Sequence, residues 1–363
     1  MKDLFENIYF GRKVLVTGNT GFKGSWLTAW LISLGANVKG ISLPPDTTPN
    51  HFNALDLDMD TEFIDIANYE KLNKSIKEFN PEIIFHLAAQ PLVRRSYKDT
   101  LTTYSSNVMG TVNLFECVKE LNNLSAIINV TTDKCYENTE KIEGYSENDK
   151  LGGYDPYSAS KACSEIITNS FRDSFFNVNS YQKEHSTLIC SARAGNVIGG
   201  GDWSEDRLIP DIIKSSIKNI PTIIRNPGAI RPWQHVLESI TGYLILGQKL
   251  LQEKKEFSGA WNFGPQNNEF STVNEITLKA KAIWPKISIV HEQSKFLHET
   301  KILALNSSKS RNKLHWNSVW TIDQTIDKTI HWYREYHENN KVVTYRQLEE
   351  YIKRAKTLNY SWT

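Results

Sequence analysis

Cysteine is scarce in this sequence: Cys117, Cys135, Cys163 and Cys190 are the only four in 363 residues. They lie far apart and no C-x-x-C occurs. That argues against a zinc site or a disulfide framework and points to a reducing compartment. An excess of charge of either sign is missing too. Lys and Arg number 42 against 41 for Asp and Glu, a formal net charge of +1. No overall field therefore draws the protein to nucleic acid or to an anionic membrane, and any polyanion site must be local. No apolar run approaches ~18 residues, and the stretch from Met1 to Phe10 is mixed and charged, so neither a membrane span nor a signal peptide is expected. The expectation is a soluble cytoplasmic protein without a metal. Internal repeats, low-complexity tracts and charge blocks are also absent. A chain of this length exceeds the usual single core, which predicts a large domain with a smaller lobe, or two domains.

What is present begins with Lys13 to Thr17, a short β-rich run that stops on glycine as a buried parallel strand would. The loop Gly18-Asn19-Thr20-Gly21-Phe22-Lys23-Gly24 follows at once. Behind it Trp26, Leu27, Trp30, Leu31 and Leu34 recur at helical spacing, with Gly35 placed to end the helix. In the order strand, glycine loop, helix, such glycines permit a tight turn and close approach of backbone to a pyrophosphate, whose charge sits at the helix N-terminus. Strands at Asn37 to Ile41, Thr61 to Ile66, Glu82 to Leu87 and Leu124 to Val130 alternate with helices at Tyr69 to Phe79 and Asp99 to Leu121. That rhythm predicts an α/β fold with a doubly wound parallel sheet. A carboxylate usually ends the second strand to hold the adenosine ribose. Here Ser42-Leu43-Pro44-Pro45 stands there, with Asp46 late in the loop and no Arg nearby, so NAD is preferred over NADP. Asp65-Ile66 is placed to meet the adenine edge.

Two further stretches carry chemistry. Thr131-Thr132-Asp133-Lys134-Cys135-Tyr136 leaves a strand at the edge where open parallel sheets bind ligands. Tyr157-Ser158-Ala159-Ser160-Lys161 stacks a phenol and an ammonium on one helical turn. Tyrosine titrates near pH ~10, and a fixed neighbouring cation is one of the few ways it can serve as acid or base near neutrality. Either stretch alone is commonplace; together they make a proton-transfer site. Further on, Thr187 to Arg193 reads as a sixth strand and Asn196 to Trp203 as a glycine-rich loop whose amides suit a sugar diphosphate. Thr222 to Ile224 is a short strand, and His235 to Leu251 and Gly259 to Phe263 are a helix and strand returning to the large domain. The helical stretches Thr321 to Tyr336 and Thr344 to Leu358 follow. Trp320, Trp332, Tyr333 and Tyr336 fit packing better than ligand stacking, and Cys163 and Cys190 read as buried small hydrophobes.

These residues resemble the extended short-chain dehydrogenase/reductases and, within them, the nucleotide-sugar 4,6-dehydratases, on the CDP-glucose branch. The likeness is carried by Thr17 to Gly24, His86 to Gln90, Thr132 to Tyr136, Asp155 to Lys161, Asn196 to Trp203 and Ile230 to Val236. It implies a Rossmann-type sheet with a smaller mixed α/β substrate lobe. The dinucleotide-binding domain is expected at 1–195, with 235–263 returning to it, and the substrate lobe at 196–363. It also implies NAD held by Gly18, Thr20, Gly21, Phe22, Lys23, Gly24, Asp65, Ile66, Leu87, Ala88, Ala89, Gln90, Asn107, Tyr157 and Lys161. Tyr157 would take the C4 hydroxyl proton as hydride leaves C4, with Thr132 holding the oxygen. Asp133 would protonate the departing C6 hydroxyl, and hydride return to C6 would give a 4-keto-6-deoxy sugar. Asn196, Arg207, Arg231 and His235 would bind the sugar nucleotide, His235 having an equally strong reading as a helix cap.

One position departs from the better-known dTDP-glucose relatives, which carry Glu after the Asp as base for C5. Lys134 stands there, and it must lose its proton before it can accept one; the alternative is an electrostatic stabiliser of the enolate. The resemblance further implies a homodimer or homotetramer paired through the helices at 99–121 and 157–176, and a place in surface-polysaccharide or lipopolysaccharide deoxysugar synthesis. A nucleotide-sugar 4-epimerase or 4-oxidoreductase, or a 4,6-dehydratase of another sugar nucleotide, is the alternative; it is the paired Asp133-Lys134 that separates the first two. A silent dinucleotide sensor would bind cofactor and turn over nothing.

Overall fold

A computed structural model describes residues 1, 3–265, 271–291 and 303–363. Parts of the expected substrate lobe, 266–270 and 292–302, lie outside the described residues. Seven strands form one parallel sheet: β1 (Lys13–Thr17), β2 (Asn37–Ser42), β3 (Asp60–Phe63), β4 (Ile83–His86), β5 (Ala126–Val130), β6 (Leu188–Ala194) and β7 (Gly259–Phe263). Their order is β7-β6-β5-β4-β1-β2-β3, and every neighbouring pair is parallel. The chain thus winds outward from β1 in one direction and from β4 in the other. The crevice at their C-terminal ends, between β1 and β4, is where such sheets take ligands.

The central strands are buried end to end, as Ile83–His86, Ala126–Val130 and Leu188–Ala194 show, because helices cover both faces. One face packs α1 (Phe22–Ser33) and the all-round apolar helix Val236–Leu251 over Val14, Val16, Phe85 and Ile128. The other packs Leu114, Phe115 and Val118 over Leu15, Ile84 and Ile127. Gly35 ends α1 in the left-handed region, at φ +83°, a conformation costly for a residue with a Cβ.

Three elements differ from the sequence pattern. β3 stops at Phe63, short of Ile66, because Asp65 turns back to accept from the Ala67 amide at 2.9 Å. The long helix expected over 99–121 is instead Val93–Lys98, Thr100–Tyr104, a π-helical turn at Ser105–Met109, and Gly110–Val118. Single π turns inside helices cluster at functional sites, and this one carries Asn107. The C-terminal helix Thr344–Thr357 was expected in the smaller lobe but packs back on α1. Tyr351 meets Trp30 edge-on with ring centres 6.0 Å apart, and Trp362 stacks on Phe5 at 5.3 Å. Three two-residue or three-residue pairings lie outside the main sheet: Val197–Ile198 with Gln234–His235, Ile230–Arg231 with Ser271–Thr272, and Thr222–Ile224 with Ile289–His291.

Trp332 and Tyr333 are buried in the core, and Tyr333 donates to the Asp202 carbonyl at 2.5 Å, which ties the glycine-rich loop down. All four cysteines are free; Cys190 is buried as expected, whereas Cys163 is only half-buried. No helix among the described residues is long and apolar enough to cross a membrane.

Candidate active site

A cleft of about 760 Å³ runs over the C-terminal ends of the central strands. Its floor on one side is the glycine loop. Gly18 has φ +76°, and a Cβ there would lie 2.7 Å from the Ala88 amide; a Cβ on Gly24 would collide with the Gly18 carbonyl. The loop is therefore drawn as tight as backbone allows, and the α1 N-terminus opens into the cleft, an arrangement that suits a dinucleotide diphosphate. Thr20, Gly21, Phe22 and Lys23 line the same stretch, and Asp65 and Ile66 line its far end. Leu87, Ala88, Ala89 and Gln90 form the wall between.

Asn107 does not reach the cleft. It lies behind the wall, accepting from the Gln90 amide at 2.7 Å and donating to the Gln90 carbonyl at 3.0 Å and to Ser160 at 2.9 Å. The π turn places it there, where it fixes the Gln90 backbone and is not among the residues lining the cleft.

At the centre sit Thr132, Lys134, Tyr157 and Lys161. Asp155 caps the helix α2 (Pro156–Ser174) by accepting from the Ser158 amide, and Pro156 pre-sets its first turn. Tyr157 is thereby aimed at the strand ends. Burial pushes its phenol up to about 12, and the neighbouring Thr132 hydroxyl and Arg207 guanidinium work the other way. Lys161, expected to face the phenol, donates to the Val130 carbonyl at 3.1 Å, because the open end of β5 presents an unpaired acceptor. Burial lowers its amine to about 8, with Glu165 opposing. Lys23 is brought down to about 7 by burial and the nearby Arg207 charge.

Thr132 also begins the single turn Asp133–Cys135. Its hydroxyl donates to Asp133 Oδ1 at 3.0 Å, and Lys134 Nζ reaches the same oxygen at 3.3 Å. Asp133 is fully buried and stands behind the cleft wall, with Oδ2 unpartnered and facing Gly195. It meets the cleft through Thr132 and Lys134.

On the opposite side Asn196, Arg207 and Arg231 line the cleft. Asn196 Oδ1 is buried without a partner, an acceptor waiting for a donor. Arg207 is paired with Asp202 at 2.8 Å. His235 is not brought here. Its ring is buried, capping the Val236–Leu251 helix through the Leu237 amide and meeting Trp320 edge-on with centres 4.7 Å apart. The physical reason is register: Gln234–His235 pairs with Val197–Ile198, which turns the imidazole into the core.

Sequence reading missed Arg95, which bonds Asp46 at 2.9 Å and Glu205 at 3.2 Å, and Arg94, which meets Asp206 at 3.0 Å. These pairs span the cleft mouth. The loop after β2 thus does have an arginine beside it, supplied from beyond β4, and sequence separation left no local signal.

A family profile described as GDP-mannose 4,6 dehydratase matches residues 15–329. The chain belongs to that family. A CDP-glucose 4,6-dehydratase of Salmonella typhimurium is 46% identical to this dehydratase-family chain over 352 residues, covering 96% of it and 98% of the relative. Among solved structures, an epimerase from Methanothermobacter thermautotrophicus superposes with TM-score 0.79 at 22% identity, covering 91% of this chain and 94% of its own. A Bacillus anthracis dTDP-glucose 4,6-dehydratase in complex with NAD gives 0.73 at 24%, covering 90% and 98%. At such identities the structural likeness speaks for the fold.

Because His235 packs rather than binds, His235→Asn, which keeps a capping acceptor, is expected to lower the unfolding temperature through lost ring contacts. Affinity for ligands of the cleft should be unchanged; calorimetric titration beside a thermal melt checks both.

Proposed function

We propose that this dehydratase-family protein removes water from a nucleotide-activated hexose, CDP-D-glucose by preference, to give the 4-keto-6-deoxy sugar with NAD as resident cofactor. The observation that carries this reading is the turn after β5, which sets the Thr132 hydroxyl beside the Tyr157 phenol and the Asp133–Lys134 ion pair directly behind it. An epimerase needs the phenol but no such acid pair. The preference for CDP rests on the likeness to the Salmonella enzyme.

In this reading Gly18 to Gly24 would hold the diphosphate of NAD, and Asp65, Ile66, Leu87 to Gln90, Tyr157 and Lys161 would line the rest of its site. Bound NAD supplies the two-electron acceptor for the first step and the donor for the last. Tyr157 takes the C4 hydroxyl proton while Thr132 holds the oxygen. The resulting C4 ketone acidifies the hydrogen on C5. With the proton of the pair on Asp133, the Lys134 amine takes the C5 proton as the Asp133 carboxyl gives its own to the leaving C6 hydroxyl by way of Thr132, so water departs and the pair is left ionised. Arg207, Arg231 and the orphaned Asn196 oxygen take the sugar nucleotide, with 196–234 and part of the C-terminal segment as the lobe that closes on it.

Apolar side chains face solvent on Thr100–Tyr104 and the π turn, where Leu101 is 87% exposed and Met109 about half, and on α2 and its C-cap, where Ile166 and Phe175 are about half exposed. A homodimer across these helices would cover them, and sedimentation velocity should find a dimer or larger. Four free cysteines suit a reducing, cytoplasmic setting.

The function is tested with a panel of sugar nucleotides and NAD, read as a dehydrated keto sugar by mass and by its alkaline chromophore. Tyr157→Phe is expected to abolish all turnover, including any reduced-nicotinamide absorbance. Asp133→Asn should leave C4 oxidation measurable and slow water loss by about 10²–10⁴-fold, the usual worth of a general acid. Equal loss of both steps would remove Asp133 from the acid role.

A further inference from the structure

Tyr157, Lys161 and Glu165 follow one another at four-residue spacing, so the third carboxylate lies on the same face of α2 as the two groups already placed in the site. It is fully buried. A buried carboxylate must be paired, and this one is: Arg193 on β6 bonds Oε2 at 2.7 Å, Ser191 donates to the same oxygen at 2.7 Å, and the Thr131 hydroxyl donates to Oε1. Arg193 is itself fixed by donating to Tyr136 at 2.7 Å and to the Glu147 carbonyl at 3.1 Å. Burial works against ionisation of Glu165, yet Arg193 and the two hydroxyl donors hold its carboxyl below the ordinary range. These partners favour its carboxylate form.

We propose that Glu165 is a positioning residue of the reaction, which supplies the counter-charge of the Lys161 ammonium and pins the end of β5 beside it. Two neighbouring residues of β5's end are gripped from one helix face. Lys161 holds the Val130 carbonyl and Glu165 holds the Thr131 hydroxyl, so the next residue, Thr132, is delivered to Tyr157 in a fixed place.

The other titratable groups near Lys161 cannot replace this charge. Cys135, from the turn after β5, is buried and its thiol stays neutral. His86, at the end of β4, is driven to about 3 by burial and is neutral as well. Lys23, from α1, is brought down to about 7, and its charge when protonated is of the same sign, as is that of Arg193 on β6. Glu165 is the anion among them.

The inference rests on the catalytic reading of Lys161, so its test includes a measurement on cofactor-free protein that needs no turnover. Trace acetylation with acetic anhydride over a pH series, read by peptide mass spectrometry, reports the titration of the Lys161 amine. Glu165→Gln is expected to move its midpoint toward acid by about one pH unit or more. Glu165→Asp should bring it most of the way back. The sign follows from the charge: without the anion the ammonium loses its proton at lower pH, so the alkaline fall of kcat moves to lower pH as well, while KM for the sugar nucleotide stays.

If Glu165→Gln does not fold because Arg193 is left alone, the double variant Glu165→Gln, Arg193→Met leaves no unpaired charge; it removes the opposing cation as well, so a smaller acid shift is expected. A midpoint that stays at the native value in the variant that folds overturns the proposal and leaves Glu165 a structural residue. A native protein inactive on every sugar nucleotide would instead sink the catalytic reading, with the titration still deciding the present one.

Discussion

The end of β5 is an open parallel strand in the middle of the sheet, and its last carbonyl and hydroxyl have to be satisfied by something other than another strand. One face of α2 does so, with Lys161 on Val130 and Glu165 on Thr131. The ion pair between Glu165 and Arg193 then anchors that face to β6. Removing one partner of such a buried pair costs about 3–5 kcal/mol, since the other charge is stranded. The same contacts that satisfy the strand end therefore set the position of Thr132, the Asp133–Cys135 turn and the phenol of Tyr157. Chemistry and architecture share one set of bonds here.

The electrostatics of the cleft follow from that burial. Lys23 and Lys161 are lowered to about 7 and about 8, so the ligand-free site carries less positive charge than its residue types suggest, while Tyr157 is raised and stays a neutral phenol. Anions brought by a sugar nucleotide and a dinucleotide favour the charged forms of the amines. The cations that stay charged throughout are the arginines: Arg207 beside Asp202, and Arg94 and Arg95 pairing across the cleft mouth. Planar guanidinium groups already oriented by carboxylates suit diphosphate oxygens.

Part of this architecture is legible in the order of residues alone. The glycine loop between strand and helix, the phenol and amine one turn apart, and the short helix Tyr69–Phe79 are readable because each is a local pattern: backbone sterics, helical period and capping act within a few residues. Other features are hidden. The helix over 99–121 carries a helical apolar period, yet it is interrupted by a π turn at Ser105–Met109, from which Asn107 bonds the Gln90 backbone. His235 reads equally as ligand or cap until the pairing of Gln234–His235 with Val197–Ile198 turns it inward. Arg95 meets Asp46 although 49 residues separate them.

The amino-acid sequence by itself determined the strand and helix order, the nucleotide-binding turn and the Tyr157–Lys161 face of α2, since those depend on hydrophobic period, glycine and helical geometry. Only the tertiary structure decided which acceptor Lys161 takes, that Asp133 lies behind Thr132, and that Glu165 faces Arg193. Those outcomes turn on which buried polar groups meet after the sheet has assembled. A buried charge selects its partner by proximity in three dimensions, which spacing along the chain does not encode.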